Sequence, residues 1–127
     1  MKEKKLILLV DDNEFYHTTI DIFLKDTYDI VTAKSGKEAV EYFLDDNNHV
    51  PDLILLDIVM PDMDGWLTYK RIRKIENAVN IPVILITSVQ GESIETHAQS
   101  VGVVDILTKP YEKKDLLEKI NKVWSSV

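Results

Sequence analysis

The sequence predicts an α/β domain: a single doubly wound (βα)5 open parallel sheet covered by helices on both faces. Two observations predict it. Short apolar runs alternate five times with amphipathic stretches over short connections. Four of the five runs ("LILLV", "LILLD", "VILIT", "VVDIL") are apolar at nearly every position, as strands buried on both faces must be. Right-handed crossovers then place helices on both sides of the sheet.

Each element follows in order. Strand β1 is expected at 5–10, followed by helix α1 at 14–26 behind an Asn13 N-cap, with Phe15, Thr19, Ile22 and Phe23 on one side. The mixed run "YDIVTA", 28–33, suits an edge strand, β2. A capping box, Ser35 with Glu38 three places on, opens α2 at 36–46, which should bury Ala39, Val40, Phe43 and Leu44. Strand β3 is 53–57. Helix α3, 65–76, starts behind Asp64 and carries Trp66, Leu67, Tyr69, Ile72 and Ile75. Strand β4, 82–87, leads to a weakly apolar α4, 92–101, with Ile94, Ala98 and Val101, and Gly102 is a natural stop. Strand β5, 103–107, and α5, 112–125, close the chain, the helix showing Leu116, Ile120, Val123 and Trp124 at steps of three and four.

At 127 residues the chain holds one domain with a proper core. A net charge of −7 argues against direct nucleic-acid binding. Without cysteine there is neither a disulfide framework nor a Cys-based zinc site, which fits a cytoplasmic setting. No apolar run reaches membrane-spanning length, so no membrane insertion is expected.

In an open parallel sheet, groups at the carboxyl ends of the strands share one rim, and ligands bind at the topological switch point. Asp11 and Asp12 follow β1, Asp57 ends β3, Thr87 ends β4 and Lys109 follows β5. For the common strand order 2-1-3-4-5 the reversal lies between β1 and β3, where the three acids would meet. Crowded carboxylates require a cation or protons, and a few carboxylates with retained waters form the Mg2+ pattern. Lysine and threonine add a compact positive charge and a hydroxyl donor for an anion. Taken singly, "DD", a strand-ending Thr and a Lys before Pro are ordinary turn and strand residues; their coincidence at four strand ends is the signal. Glycine-rich phosphate loops, the G-x-S-x-G elbow and cysteine nucleophiles are absent. His17, His49 and His97 lack metal-ligand spacing and read as surface or packing residues. The nucleophile left in the cluster is a carboxylate.

"LVDDNE", "DLILLDIVMPDMDG", "IPVILITS" and "ILTKPY" resemble, in order and spacing, the signature blocks of response-regulator receiver domains of two-component signalling, the CheY-like superfamily. The resemblance runs from about residue 5 to 125 and implies a flavodoxin-like fold, with 1–127 a single receiver domain and no output domain in this chain. It implies Asp57 as phosphoacceptor, taking a phosphoryl group from a sensor histidine kinase or a histidine phosphotransfer protein. It implies Mg2+ held by Asp12, Asp57 and the Val59 carbonyl, with Asp11 binding through water. Lys109 and Thr87 would contact the phosphoryl oxygens, joined by the Ser88 backbone N–H. Pro61 and Gly65 would shape the loop after the acceptor, and the Lys109–Pro110 peptide would be cis. The domain would catalyse only its own phosphorylation and dephosphorylation, as a monomer or a phosphorylation-linked dimer. An unknown downstream protein would dock, by family analogy, on the α4–β5–α5 face.

Two departures matter. The family usually carries Tyr, Phe or His where this chain has Ile106, which has no ring to swing inward; either output runs through the loop after Thr87, α4 or another face, or Ile106 simply fills the strand-five surface. Val59 and Val89 stand where polar side chains orient the attacking water in relatives, which predicts slow self-dephosphorylation. Two rival readings remain. One is a Mg2+-dependent phosphohydrolase with Asp57 as nucleophile, which lacks an acid at Val59 to donate the proton. The other is a phosphorylation-independent scaffold receiver.

Overall fold

The computed structural model describes residues 4–60 and 64–125; Pro61, one of the expected loop-shaping residues, lies outside them. Five parallel strands stand in the order β2-β1-β3-β4-β5. They are β1 (Leu6–Val10), β2 (Asp29–Ala33), β3 (Leu53–Asp57), β4 (Val83–Thr87) and β5 (Asp105–Thr108). The helices are α1 (Glu14–Leu24), α2 (Gly36–Leu44), α3 (Gly65–Ile72), α4 (Glu92–Val101) and α5 (Lys113–Ser125), with one 3-10 turn at Glu76–Ala78.

Strand periodicity divides the core in two. Leu8, Val10, Ile54, Leu56, Val83 and Leu85 face one way and meet Phe43 of α2, Tyr69 and Ile72 of α3 and Ala98 of α4. Ile7, Leu9, Leu53, Leu55, Ile84 and Ile86 face the other way and meet Ile20 and Leu24 of α1 and Leu116, Ile120 and Val123 of α5. Burying both faces of β1, β3 and β4 is what their unbroken apolar runs require.

Several expectations need correction. On α1 the buried residues are Ile20 and Leu24, while Phe15 is 67% and Ile22 60% exposed. The helix carries apolar residues on two faces, and the strand-one side takes the face set by 20 and 24. Leu44 is exposed because α2 ends there and turns away at Asp45. Leu67 is also half out of the core. The Ser35 cap accepts from the Glu38 N–H at 3.1 Å, but the Glu38 carboxylate accepts from the Lys34 N–H, one residue before the one a capping box uses. Helix α3 stops at Ile72 rather than 76, and Arg73 instead donates to the Ala78 carbonyl at 2.8 Å across the 3-10 turn. Strand β5 starts at Asp105, two residues later than expected, and is an edge strand with Val104 half exposed. Asn13, Asp64 and Gly102 do terminate helices as expected; Gly102 sits at φ 89°, a left-handed conformation that a Cβ disfavours.

Candidate functional site

Strand order places the ends of β1 and β3 side by side, with Val10 opposite Leu56. The residues that follow therefore converge. One carboxylate oxygen each of Asp11, Asp12 and Asp57 lies within 4.8 Å of the others. Asp11 and Asp57 are buried and Asp12 is exposed. The Lys109–Pro110 peptide is cis. The Lys109 ammonium reaches inward to Asp11 Oδ2 at 2.7 Å and Asp57 Oδ2 at 3.1 Å, with 9% of its side chain exposed.

Hydrogen bonds hold the acids in place. The Asn13 N–H donates to Asp11 Oδ1 at 2.9 Å, and the Val59 N–H donates to Asp57 Oδ1 at 3.0 Å. Asp11 Oδ2 is fully buried and, apart from the ammonium charge, has no aligned donor. Burial pushes the Asp57 carboxyl up, the Val59 N–H and Lys109 pull it down and Asp11 pushes it up again; the net result lies above the ordinary aspartate range. Burial works against the Lys109 charge, but Asp11 and Asp57 outweigh it and hold the ammonium above the usual lysine value. Three carboxylates against one ammonium leave an excess of negative charge around a cleft of about 330 Å3, lined by Asp12, Tyr16, Asp57, Val59, Ser88 and Lys109 among others. Three clustered carboxylates, which offer oxygen ligands only and exceed the single ammonium in charge, suit a hard divalent cation such as Mg2+.

Not every expected residue faces this cleft. Ser88 and Val59 line it. Thr87 is fully buried at its rim, and its Oγ1 accepts from the Val89 N–H at 3.0 Å, so the hydroxyl is tied to its own loop. Ile106 is partly buried and lines a separate hollow with Val89, Ile94 and Thr108.

The sequence reading passed over α1's contribution. Tyr16 lies beneath Lys109, the ammonium 4.1 Å from the ring centroid, and its ring meets that of Tyr111 at 5.6 Å. A cation over an aromatic face is electrostatically favoured. His17, read as a surface or packing residue, has its Nε2 hydrogen-bonded to the Asp11 carbonyl. Both lie in the first turn after Asn13, directly above the end of β1. The Tyr111 hydroxyl is buried with no hydrogen-bond partner among the described residues, and burial, Asp11 and Tyr16 all push its pKa upward.

An acid trio and an inward lysine gather at the switch point of a 2-1-3-4-5 parallel sheet, which is a flavodoxin-like, receiver-type fold. Residues 7–121 match the family model described as response regulator receiver domain, and the chain belongs to that family. It is 36% identical over 118 residues to the chemotaxis protein CheY of Bacillus subtilis, covering 91% of this chain and 94% of that one. A solved structure of Vibrio cholerae CheY4 superposes with a TM-score of 0.86 at 25% identity, over 95% of this chain and 99% of that one. The receiver domain of the sensor histidine kinase PA1611 from Pseudomonas aeruginosa, whose structure has a magnesium ion in its active-site cleft, gives a TM-score of 0.82 at 27% identity, over 94% and 97%.

Proposed function

We propose that this receiver domain accepts a phosphoryl group on Asp57 from a phosphohistidine donor, carried by a sensor histidine kinase or a histidine phosphotransfer protein. The observation that carries the reading is the Lys109 ammonium shared between buried Asp11 and Asp57 beside exposed Asp12. In the reaction an Asp57 carboxylate oxygen forms a bond to phosphorus while the P–N bond to the donor imidazole breaks, and the released imidazole takes up a proton. Positioning and charge neutralisation supply most of the catalysis of such transfers. Lys109 is already desolvated and fixed, so it can hold a phosphoryl oxygen with little reorganisation. Ser88, which lines the same cleft, would add its backbone N–H to the phosphoryl contacts. Thr87 exchanges its Val89 contact for a phosphoryl oxygen, moving the loop that leads into α4.

Asp12, Asp57 and the Val59 carbonyl, with Asp11 through water, would hold Mg2+. When bound, that ion offsets the charge shared by the carboxylates and the phosphoryl oxygens. The domain acts in the cytoplasm and catalyses only its own phosphorylation and dephosphorylation. Its signal leaves through protein contact on the α4–β5–α5 face, and it works as a monomer or a phosphorylation-linked dimer.

Incubation with acetyl phosphate and MgCl2, followed by intact-mass measurement, tests the reading. One phosphoryl adduct is expected, absent in Asp57→Asn and after chelation. Continuous phosphate release would favour a phosphohydrolase, and an unmodified mass would favour a scaffold.

A further inference from the structure

We propose that the groove between α3 and α4 is a docking site for an acidic, amphipathic segment of a partner protein. The groove encloses about 650 Å3 and does not share residues with the acid cleft. Its apolar surface comes from Trp66, Leu67 and Val101, the last two 40% and 36% exposed. Two contacts hold its walls together. The Tyr69 hydroxyl donates to the Val101 carbonyl at 2.7 Å, and the Trp66 ring meets the His97 ring edge-on at 4.4 Å. A trough bridged from α3 to α4 in this way is preformed, so an occupant meets little ordering cost on this side.

The rim is basic on an acidic protein. The chain has net charge −7, yet Lys70, Arg73 and Lys74 all border the groove. Asp64 is the acid among the lining residues, and its Oδ1 already caps α3 by accepting from the Leu67 N–H at 2.9 Å. Arg73 is held against the Tyr69 ring and the Ala78 carbonyl. Lys70 and Lys74 are exposed and enter none of the ion pairs found among the described residues.

Favourable placement of cations at a helix C-terminus accounts for Lys70 alone. It does not account for Lys74, which lies beyond the C-cap of α3. Nor does it account for an apolar trough running beneath the charges. Aliphatic or aromatic anchors at i and i+3 or i+4, flanked by Asp or Glu, match both features at once: the anchors fill the trough and the acids meet the two lysines. A nucleic acid is disfavoured by the chain's net charge of −7.

Selection of helical peptides from a charge-randomised display library, against the unmodified chain, tests the proposal without using phosphorylation. Failure here therefore leaves the reading of Asp57 untouched. Enriched peptides should be net acidic with paired apolar anchors. By fluorescence anisotropy, Lys70→Glu with Lys74→Glu should weaken them about tenfold or more. The thermal midpoint should stay the same, and peptides with Glu changed to Lys should regain binding to that variant. No enrichment, enrichment of neutral or basic peptides, or unchanged affinity for the variant would overturn it. Displacement of the peptide by a DNA duplex would overturn it too, as would a dimer in sedimentation that the same variant dissolves.

Discussion

Asp57 carries the main energetic tension in the molecule. Its carboxylate is desolvated, and the Asp11 charge nearby pushes in the same direction, while the Val59 N–H and Lys109 offset only part of this. A carboxyl whose folded pKa lies above its unfolded value binds protons more tightly when folded. Its ionisation therefore disfavours the fold, and the loss grows as pH rises through the folded pKa. Asp57→Asn keeps the shape and removes the charge, while Lys109 retains Asp11 at 2.7 Å. In metal-free buffer near neutral pH the variant should be the more stable of the two, seen as a higher thermal midpoint. The gain should vanish in acid, where both side chains are neutral. Thermal melts across that pH range check it; equal midpoints at neutral pH would contradict the assignment of the raised group. At the same scale, Val59, in the lining of the acid cleft, and Val89, two residues after Thr87, are both exposed and apolar. Val59→Asn with Val89→Glu should shorten the lifetime of the phosphorylated form several-fold or more, measured by phosphate release after rapid removal of the donor.

At the scale of elements, what the sequence made legible was what single residues dictate by their own chemistry. Asn13, Ser35 and Asp64 cap helices because their short polar side chains reach backbone N–H groups, and the unbroken apolar runs of β1, β3 and β4 admit only a doubly covered sheet. The buried face of α1 was not legible, because Phe15 and Ile22 compete with Ile20 and Leu24 and only the neighbouring strand decides between them. That Asp11, Asp12, Asp57 and Lys109 come together could be read from strand-end position, whereas the turning of the Thr87 hydroxyl to the Val89 N–H could not. Tyr16 and His17 could not, since their roles depend on how α1 sits above β1. Helix α3 shows how tightly an element can be tied to the site. The Gly65 N–H donates to the Ile58 carbonyl, and a Cβ at Gly65 would lie 2.3 Å from Ile58 Cα and 2.4 Å from the Asp57 carbonyl oxygen. Neither backbone atom can move without moving the end of β3. Gly65→Ala should cost about 2–3 kcal/mol, seen as a lower urea midpoint at unchanged slope, and should slow phosphoryl uptake. An alanine variant of wild-type stability would mean that the loop after β3 can shift freely.

The whole molecule concentrates part of its excess negative charge at one place. The chain carries seven more negative than positive charges, and its sheet order brings three acids to a single rim with one ammonium between them. Self-repulsion there must be relieved by a proton, a cation or unfolding. Binding to the folded form alone stabilises it by RT ln(1 + [L]/Kd), about 2.7 kcal/mol when the free ion exceeds its dissociation constant a hundredfold. MgCl2 should therefore raise the melting midpoint of the wild type progressively with concentration. NaCl at matched ionic strength should do much less, because screening acts weakly on buried Asp11 and Asp57. Asp12→Ala removes the exposed acid from the trio while leaving the Asp11–Lys109–Asp57 link intact, so it should flatten the Mg2+ response without disturbing the fold. Tryptophan emission is a poor monitor of the ion itself, since Trp66 borders the α3–α4 groove and Trp124 bonds the Tyr28 hydroxyl, both outside the cleft lining. Calorimetric titration is the appropriate check: one Mg2+ per chain in the wild type, and markedly weaker uptake in Asp12→Ala. If the ion raised both midpoints equally, its site would lie elsewhere and the carboxylate trio would be relieved by protons instead.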